Sequence, residues 1–211
     1  MRRRHREADA ALRALKIAKS ESDRQAALEP LSDFAFSVGI RVDQPPRKQV
    51  DAVFAALANV ARKDLSAAVR IDAVYALSHW HEPRAARPLL SVFADTSQPA
   101  ELRGRAAEGI GWILGAERGS KALRTQVADA LSLALKDPAV EVRFWAVYAL
   151  GHLQAKSARP ELERLSTTDH EECPGMWSVG DEARDVLSFW DGRGWGAERE
   201  KGPESRRISA S

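Results

Sequence analysis

Arg70-Ile71-Asp72-Ala73-Val74-Tyr75-Ala76-Leu77 returns 73 residues later as Arg143-Phe144-Trp145-Ala146-Val147-Tyr148-Ala149-Leu150. Both read Arg-x-x-Ala-Val-Tyr-Ala-Leu, and the same offset carries His79 onto His152. Reuse of a frame at a fixed offset marks one structural unit copied along a chain, and a repeat decides architecture before other signals are weighed. It limits function as well: repeat stacks present surfaces, and the ligand is not written in the repeat itself.

Alanines equivalent to Ala73 and Ala146 stand at Ala27, Ala106 and Ala183, giving spacings of 46, 33, 40 and 37 residues. Leu31, Leu77, Ile110, Leu150 and Leu187 lie four residues beyond them; Val69, Leu102, Val142 and Val179 lie four before the last four. Apolar side chains at i, i+4 and i+8 are helical periodicity. Second helical patterns fall between the rows at Val50–Val60, Ala85–Phe93, Val127–Leu135 and Ala158–Leu165. Pro45-Pro46, Pro83, Pro99, Pro138 and Pro160 mark helix starts, because proline is tolerated in a first turn and disfavoured deeper. No useful length alternates with period two. The expected fold is all-α: a right-handed α-solenoid of about five helix pairs, one domain over residues 1–190. The Gly-rich polar stretch 191–211 is expected to be a disordered tail.

The 32 basic and 30 acidic side chains leave a net charge of +2, which does not argue for a dedicated nucleic-acid binder. The conspicuous positive charge is terminal, at Arg2, Arg3, Arg4 and Arg6 and at Arg206 and Arg207, and reads as solvated. Cys173 is the single cysteine, so no internal disulfide forms and a reducing compartment is expected. No apolar run approaches the ~20 residues that span a bilayer. The opening residues are basic without a following apolar segment, unlike a secretory signal. The expected location is the cytoplasm. Arginine and alanine usage fits a GC-rich bacterial genome.

Leu135–Leu153, Leu-Lys-Asp-Pro-Ala-Val-Glu-Val-Arg-Phe-Trp-Ala-Val-Tyr-Ala-Leu-Gly-His-Leu, resembles a HEAT repeat. It is similar to the short bacterial type found in phycobilin lyases. The resemblance runs from about Lys63 to Leu165 and is weaker in the first and last pairs. It implies that Arg70, Arg103 and Arg143, with Asp64, Asp95 and Asp137 in the preceding turns, form a structural ladder between repeats. It says little about activity, since the same repeat serves scaffolds, lyases, hydroxylases and DNA-repair proteins. Deoxyhypusine hydroxylases, which share the architecture, bind iron through His-Glu pairs just after the arginine-like position. The equivalent positions here are Ile71-Asp72, Gly104-Arg105, Phe144-Trp145 and Asp181-Glu182, and none is His-Glu. His81-Glu82 and His170-Glu171 fall instead in inter-helix turns, so iron binding of that kind is not expected.

If the anchor alanine and the residues four to either side face inward, other columns face outward. One column is Asp72, Arg105, Trp145 and Glu182; a second is Tyr75, Glu108, Tyr148 and Asp185; a third is His79, Trp112, His152 and Phe189. The resemblance places the second helix of each pair on the concave face. The candidate partner-binding residues are therefore Asp72, Tyr75, His79, Arg105, Glu108, Trp112, Trp145, Tyr148 and His152. Trp, Tyr and Arg dominate interface energetics. Packing between repeats is the competing role for Trp112 and Phe189.

The segment Thr167–Trp177 departs from the repeat and lengthens one loop. His170, Glu172 and Cys173 could ligate a metal, but consecutive donors lack the usual spacing. Gly104, Gly109, Gly111 and Gly115 lie in or beside one helix and read as close-packing positions. Phosphate-cradling loops and nucleophile elbows are absent. The reading is a non-enzymatic interaction module that needs no cofactor or metal and presents a groove to a partner protein. A bilin-lyase-like enzyme or lyase subunit is the first alternative and a HEAT-like DNA-binding or repair protein the second. The mixed signs of Asp72, Arg105, Glu108 and Glu182 disfavour nucleic acid.

Overall fold

A computed structural model describes residues 2–40, 45–115 and 118–196. The described residues form α1 (Arg2–Ile17), α2 (Glu21–Gly39), α3 (Arg47–Lys63), α4 (Ala67–Ser78), α5 (Ala86–Ala94), α6 (Ala100–Leu114), α7 (Lys121–Ala134), α8 (Val140–Leu153), α9 (Arg159–Thr168) and α10 (Val179–Trp190). Short 3-10 turns at Pro83–Ala85 and Lys156–Ala158 lead into α5 and α9. Among the described residues there is no strand, only an isolated bridge between Glu172 and Ser178. The chain is an all-α solenoid of helix pairs. Among the described residues no helix is long and apolar enough to cross a membrane.

Local chemistry sets the helix starts. The hydroxyls of Ser20, Ser66, Ser120 and Ser178 accept from backbone amides three residues on. Ser20 and Asp23 complete a reciprocal capping box. Each cap satisfies donors the first turn leaves open and contributes about 1 kcal/mol. Pro46 precedes α3, Pro83 opens the first 3-10 turn, and Pro160 lies in the first turn of α9.

The helices cluster into two compact units, Met1–Leu114 and Gly115–Ser211. In the N-terminal unit α1, α3 and α5 pack against α2, α4 and α6, and α4 lies between α2 and α6. A helix covered on so many sides must be apolar nearly all round. Accordingly Val69, Ala73, Val74, Ala76 and Leu77 of α4 are fully buried. Ala73 and Ala106 are sealed as well, and the small anchor lets helices approach closely. A larger side chain there would overpack the seam at a cost of about 1–3 kcal/mol. An apolar groove of about 620 Å³ is formed by α1 and α2, lined by Ala10, Ala14, Ile17 and Pro30.

In the C-terminal unit α7 packs on α8, α9 on α10, and α8 against α10. Val142, Phe144, Ala146, Val147, Ala149 and Leu150 of α8 are fully buried. Arginine–aspartate pairs link successive helix pairs, with partners other than the aspartates of the arginines' own turns. Arg24 pairs with Asp64 at 2.8 Å, and Arg143 pairs with Asp169 at 2.8 Å. Arg70 and Arg143 also donate to the carbonyls of Asp64 and Asp137 in their own turns.

Two expectations change. Glu182 and Asp185 hold positions whose register predicts an exposed face, yet both are fully buried. Glu182 meets the inserted loop, whose Trp177 indole Nε1–H donates to Glu182 Oε2 at 2.7 Å. The polar stretch after α10 was read as a tail from residue 191. Asp191–Gly196 are described, and Trp195 is packed against α8; the rest of that stretch, 197–211, lies outside the described residues.

Candidate partner-binding site

The N-terminal unit brings five of its six candidate residues to one groove. Asp72, Tyr75 and His79 stand at i, i+3 and i+7 on α4, so they share a face. Arg105, Glu108 and Trp112 repeat that spacing on α6. A groove of about 290 Å³ opens between the two helices, lined by Asp72, Tyr75, Arg105, Glu108 and Trp112 together with Glu101. Gly109 of α6 faces Ser78 of α4 at the groove floor, where a side chain on Gly109 would collide with the Ser78 hydroxyl. His79 does not line this groove. Its ring leans on Tyr75 at 4.4 Å and meets the edges of Phe36 at 5.7 Å and Trp112 at 5.8 Å. Its Nδ1 bonds the Tyr75 carbonyl at 2.9 Å, which requires the proton on that nitrogen. His79 therefore orients the aromatic group.

Tyr75 is 58% exposed, Phe36 47% and Trp112 36%. Three adjacent exposed aromatics are more than packing within the unit requires. A second groove, of about 280 Å³, lies on the other side of Tyr75 and is lined by Gln25, Glu29, Asp33 and Asp72. Gln25 donates to Asp72 at 2.9 Å. Arg105 pairs with Glu108 at 3.1 Å. The two grooves thus gather Glu29, Asp33, Asp72, Glu101 and Glu108 against Arg105 alone. This face is acidic and aromatic.

Sequence reasoning missed Phe36, Glu29, Asp33 and Glu101. Glu29 and Asp33 stand two and six residues after Ala27, so extending the outward columns to the first row would have found them. Phe36 stands nine after, beyond the repeat window, because α2 is longer than the other second helices.

The C-terminal unit holds Trp145, Tyr148 and His152 on α8. The Tyr148–His152 rings lie 4.4 Å apart at 56°, matching Tyr75–His79 at 4.4 Å and 59°. Trp145 is half-buried, with its ring 5.4 Å from Tyr148 and 5.1 Å from Phe144. Trp195 stacks on His152 at 4.6 Å and meets Tyr148 at 5.5 Å and Phe189 at 5.2 Å. Burial holds the His152 imidazolium form off, so its pKa lies below the ordinary histidine value. Trp195 had no helical signal to betray it, since it follows α10 in a glycine-rich stretch.

The remaining motifs carry no assembled chemistry. His81 and Glu82 lie in the turn after α4, and His170 and Glu171 in the loop after α9. Cys173 is buried in a tight turn, with its amide donating to the Trp177 carbonyl. Among the described residues no group of three or more His, Cys, Asp or Glu could hold a metal ion.

No protein-family model and no curated protein matches the chain. Solved structures do. A designed armadillo repeat protein in complex with the peptide (KR)4 superposes with a TM-score of 0.58 at 20% identity, covering 85% of this chain and 80% of that one. A second engineered protein gives a TM-score of 0.55 at 19% identity, covering 89% and 81%. At such identity the likeness shows the fold alone: the chain is a helical-repeat protein.

Proposed function

We propose that this protein is a non-enzymatic interaction module whose N-terminal unit binds a segment of a partner protein rich in basic side chains. The observation that carries this reading is the exposure of Tyr75 and Trp112 beside the carboxylates of Asp72 and Glu108 in one groove. A ring face attracts a guanidinium or ammonium through its quadrupole. A neighbouring carboxylate adds a charge-assisted hydrogen bond. The second groove, with Glu29 and Asp33, extends the same sign along the face. That sign would repel phosphates, which counts against DNA. The designed repeat protein that shares the fold was solved with a peptide of alternating basic residues, and this supports the analogy. The repeats are best placed with the short HEAT-like type, on the strength of Leu135–Leu153. One cysteine and no disulfide suit a cytoplasmic setting.

The test is fluorescence anisotropy with labelled (KR)4 and an acidic peptide of equal length. The basic peptide should bind in a salt-dependent way and the acidic one should not. Asp72→Asn with Glu108→Gln should weaken binding at least tenfold, about 1.4 kcal/mol. Equal affinity for both peptides would refute the reading.

A further inference from the structure

In the N-terminal unit Tyr75 of the Tyr–His pair is 58% exposed, whereas its counterpart in the C-terminal unit is covered by Trp195. The filling residue is Trp195, and the surrounding sequence is shaped around it. The frame that places Tyr75 and His79 on α4 puts Ser78 between them and the next helix; its side chain is buried and bonded to the Val74 carbonyl. The equivalent position on α8 is Gly151. A Cβ there would lie 2.5 Å from Trp195 Cη2 and 3.0 Å from Trp195 Cζ3. The repeat thus loses its side chain directly under the indole.

The chain reaches this seat by a short strap. Asp191 is held at 2.7 Å by Arg159 and also receives Arg193. Gly192 and Gly194 have φ of +80° and +91°, and Gly196 has φ of +78°. Side chains avoid that region, so glycine flanking allows the chain to double back. The Trp190 indole donates to the Gly151 carbonyl at 3.2 Å and fixes the seat from the other side. Around the Trp195 ring stand His152 stacked, Tyr148 edge-on and Phe189 tilted.

We propose that Gly151, Tyr148, His152 and Phe189 form a receptor for a tryptophan carried in a glycine-flanked turn. Trp195 fills it in cis, and a partner presenting the same element enters by displacing the strap. This inference concerns the C-terminal unit and does not rest on the basic-peptide groove. A tethered occupant acts at an effective concentration of about millimolar. A free competitor at micromolar concentration therefore meets a closed face in the unaltered chain and an open one when Trp195 is removed.

The experiment uses the full-length chain carrying Trp195→Ala and a labelled peptide Asp-Gly-Arg-Gly-Trp-Gly, the sequence of residues 191–196. Anisotropy should report saturable binding to the variant, with affinity for the unaltered chain about tenfold or more weaker. Replacing tryptophan with alanine in the peptide should abolish binding, as should His152→Ala added to the variant. A folded Trp195→Ala chain that ignores the peptide, or that binds it no better than the parent, overturns the proposal. Should Trp195→Ala lose its helical circular dichroism, Asp191→Asn decides instead. It keeps the indole but removes the ion pair that ties the strap to Arg159, and should raise peptide uptake; unchanged uptake would overturn the proposal equally.

Discussion

Arg143 in the first turn of α8 grips Asp169 just past the end of α9 side-on. Its Nε lies 2.8 Å from Oδ2 and its Nη2 3.3 Å from Oδ1. Both side chains are only 11% exposed. The same guanidinium donates to the Asp137 and Pro138 carbonyls and to Glu171. The paired carboxylates, Asp169 first, hold its pKa above the ordinary arginine value. One side chain therefore closes its own turn and ties α8 to the next helix pair.

Arg143→Ala should lower stability by about 2 kcal/mol, because two turn carbonyls and a largely buried carboxylate lose their donor together. Arg143→Lys should recover only part of it, since an ammonium cannot make the side-on pair. Urea unfolding reads both. A fold of unchanged stability would show that the ladder is ornamental.

Gly151→Ala should expel Trp195 from its seat. The added methyl would also press on Val186 Cγ2, which lies 2.7 Å from the built Cβ position. Overpacking of this kind costs about 1–3 kcal/mol. Carbethoxylation of His152, followed by peptide mass mapping, should become faster in the variant. No gain in His152 reactivity would mean that the indole adjusts without leaving.

The His152–Trp195 contact should loosen on acidification. Burial holds the folded-state pKa of His152 below its ordinary value, so the unfolded or undocked state binds the proton more readily. The sign follows: the contribution to stability is complete above the ordinary value of about 6.5 and declines as the pH falls below it toward the depressed folded value. His152 carbon shifts, followed by NMR from neutral pH downward, should titrate below that of an unfolded-chain histidine. A midpoint above it would contradict the buried stack.

Deleting 191–211 should have a measurable thermal effect, contrary to what a solvated polar stretch would give. The loss is expected from Trp195, whose large aromatic surface covers α8, and from the Arg159–Asp191 pair. Trp195→Ala alone should reproduce most of the drop in Tm. If the full deletion is silent in calorimetry, the strap contributes nothing to the fold.

The duplicated Arg-x-x-Ala-Val-Tyr-Ala-Leu frame and the proline and serine punctuation determined, by themselves, that the chain is a stack of helix pairs. Those signals are local: periodicity of 3.6, caps and forbidden proline positions act within one or two turns. The outward columns on α4 and α6 were legible for the same reason, since a helix's faces follow from its register. What covers a face was not legible. Glu182 and Asp185 hold outward register positions and are buried, Glu182 beneath Trp177 from an irregular loop. Tyr148 and His152 occupy the same columns as Tyr75 and His79, yet Trp195 covers the first pair while Tyr75 stays exposed. Only the tertiary structure decided this, because a glycine-rich strap leaves no periodic trace and its docking depends on the missing side chain of Gly151, a complementarity between residues 44 positions apart.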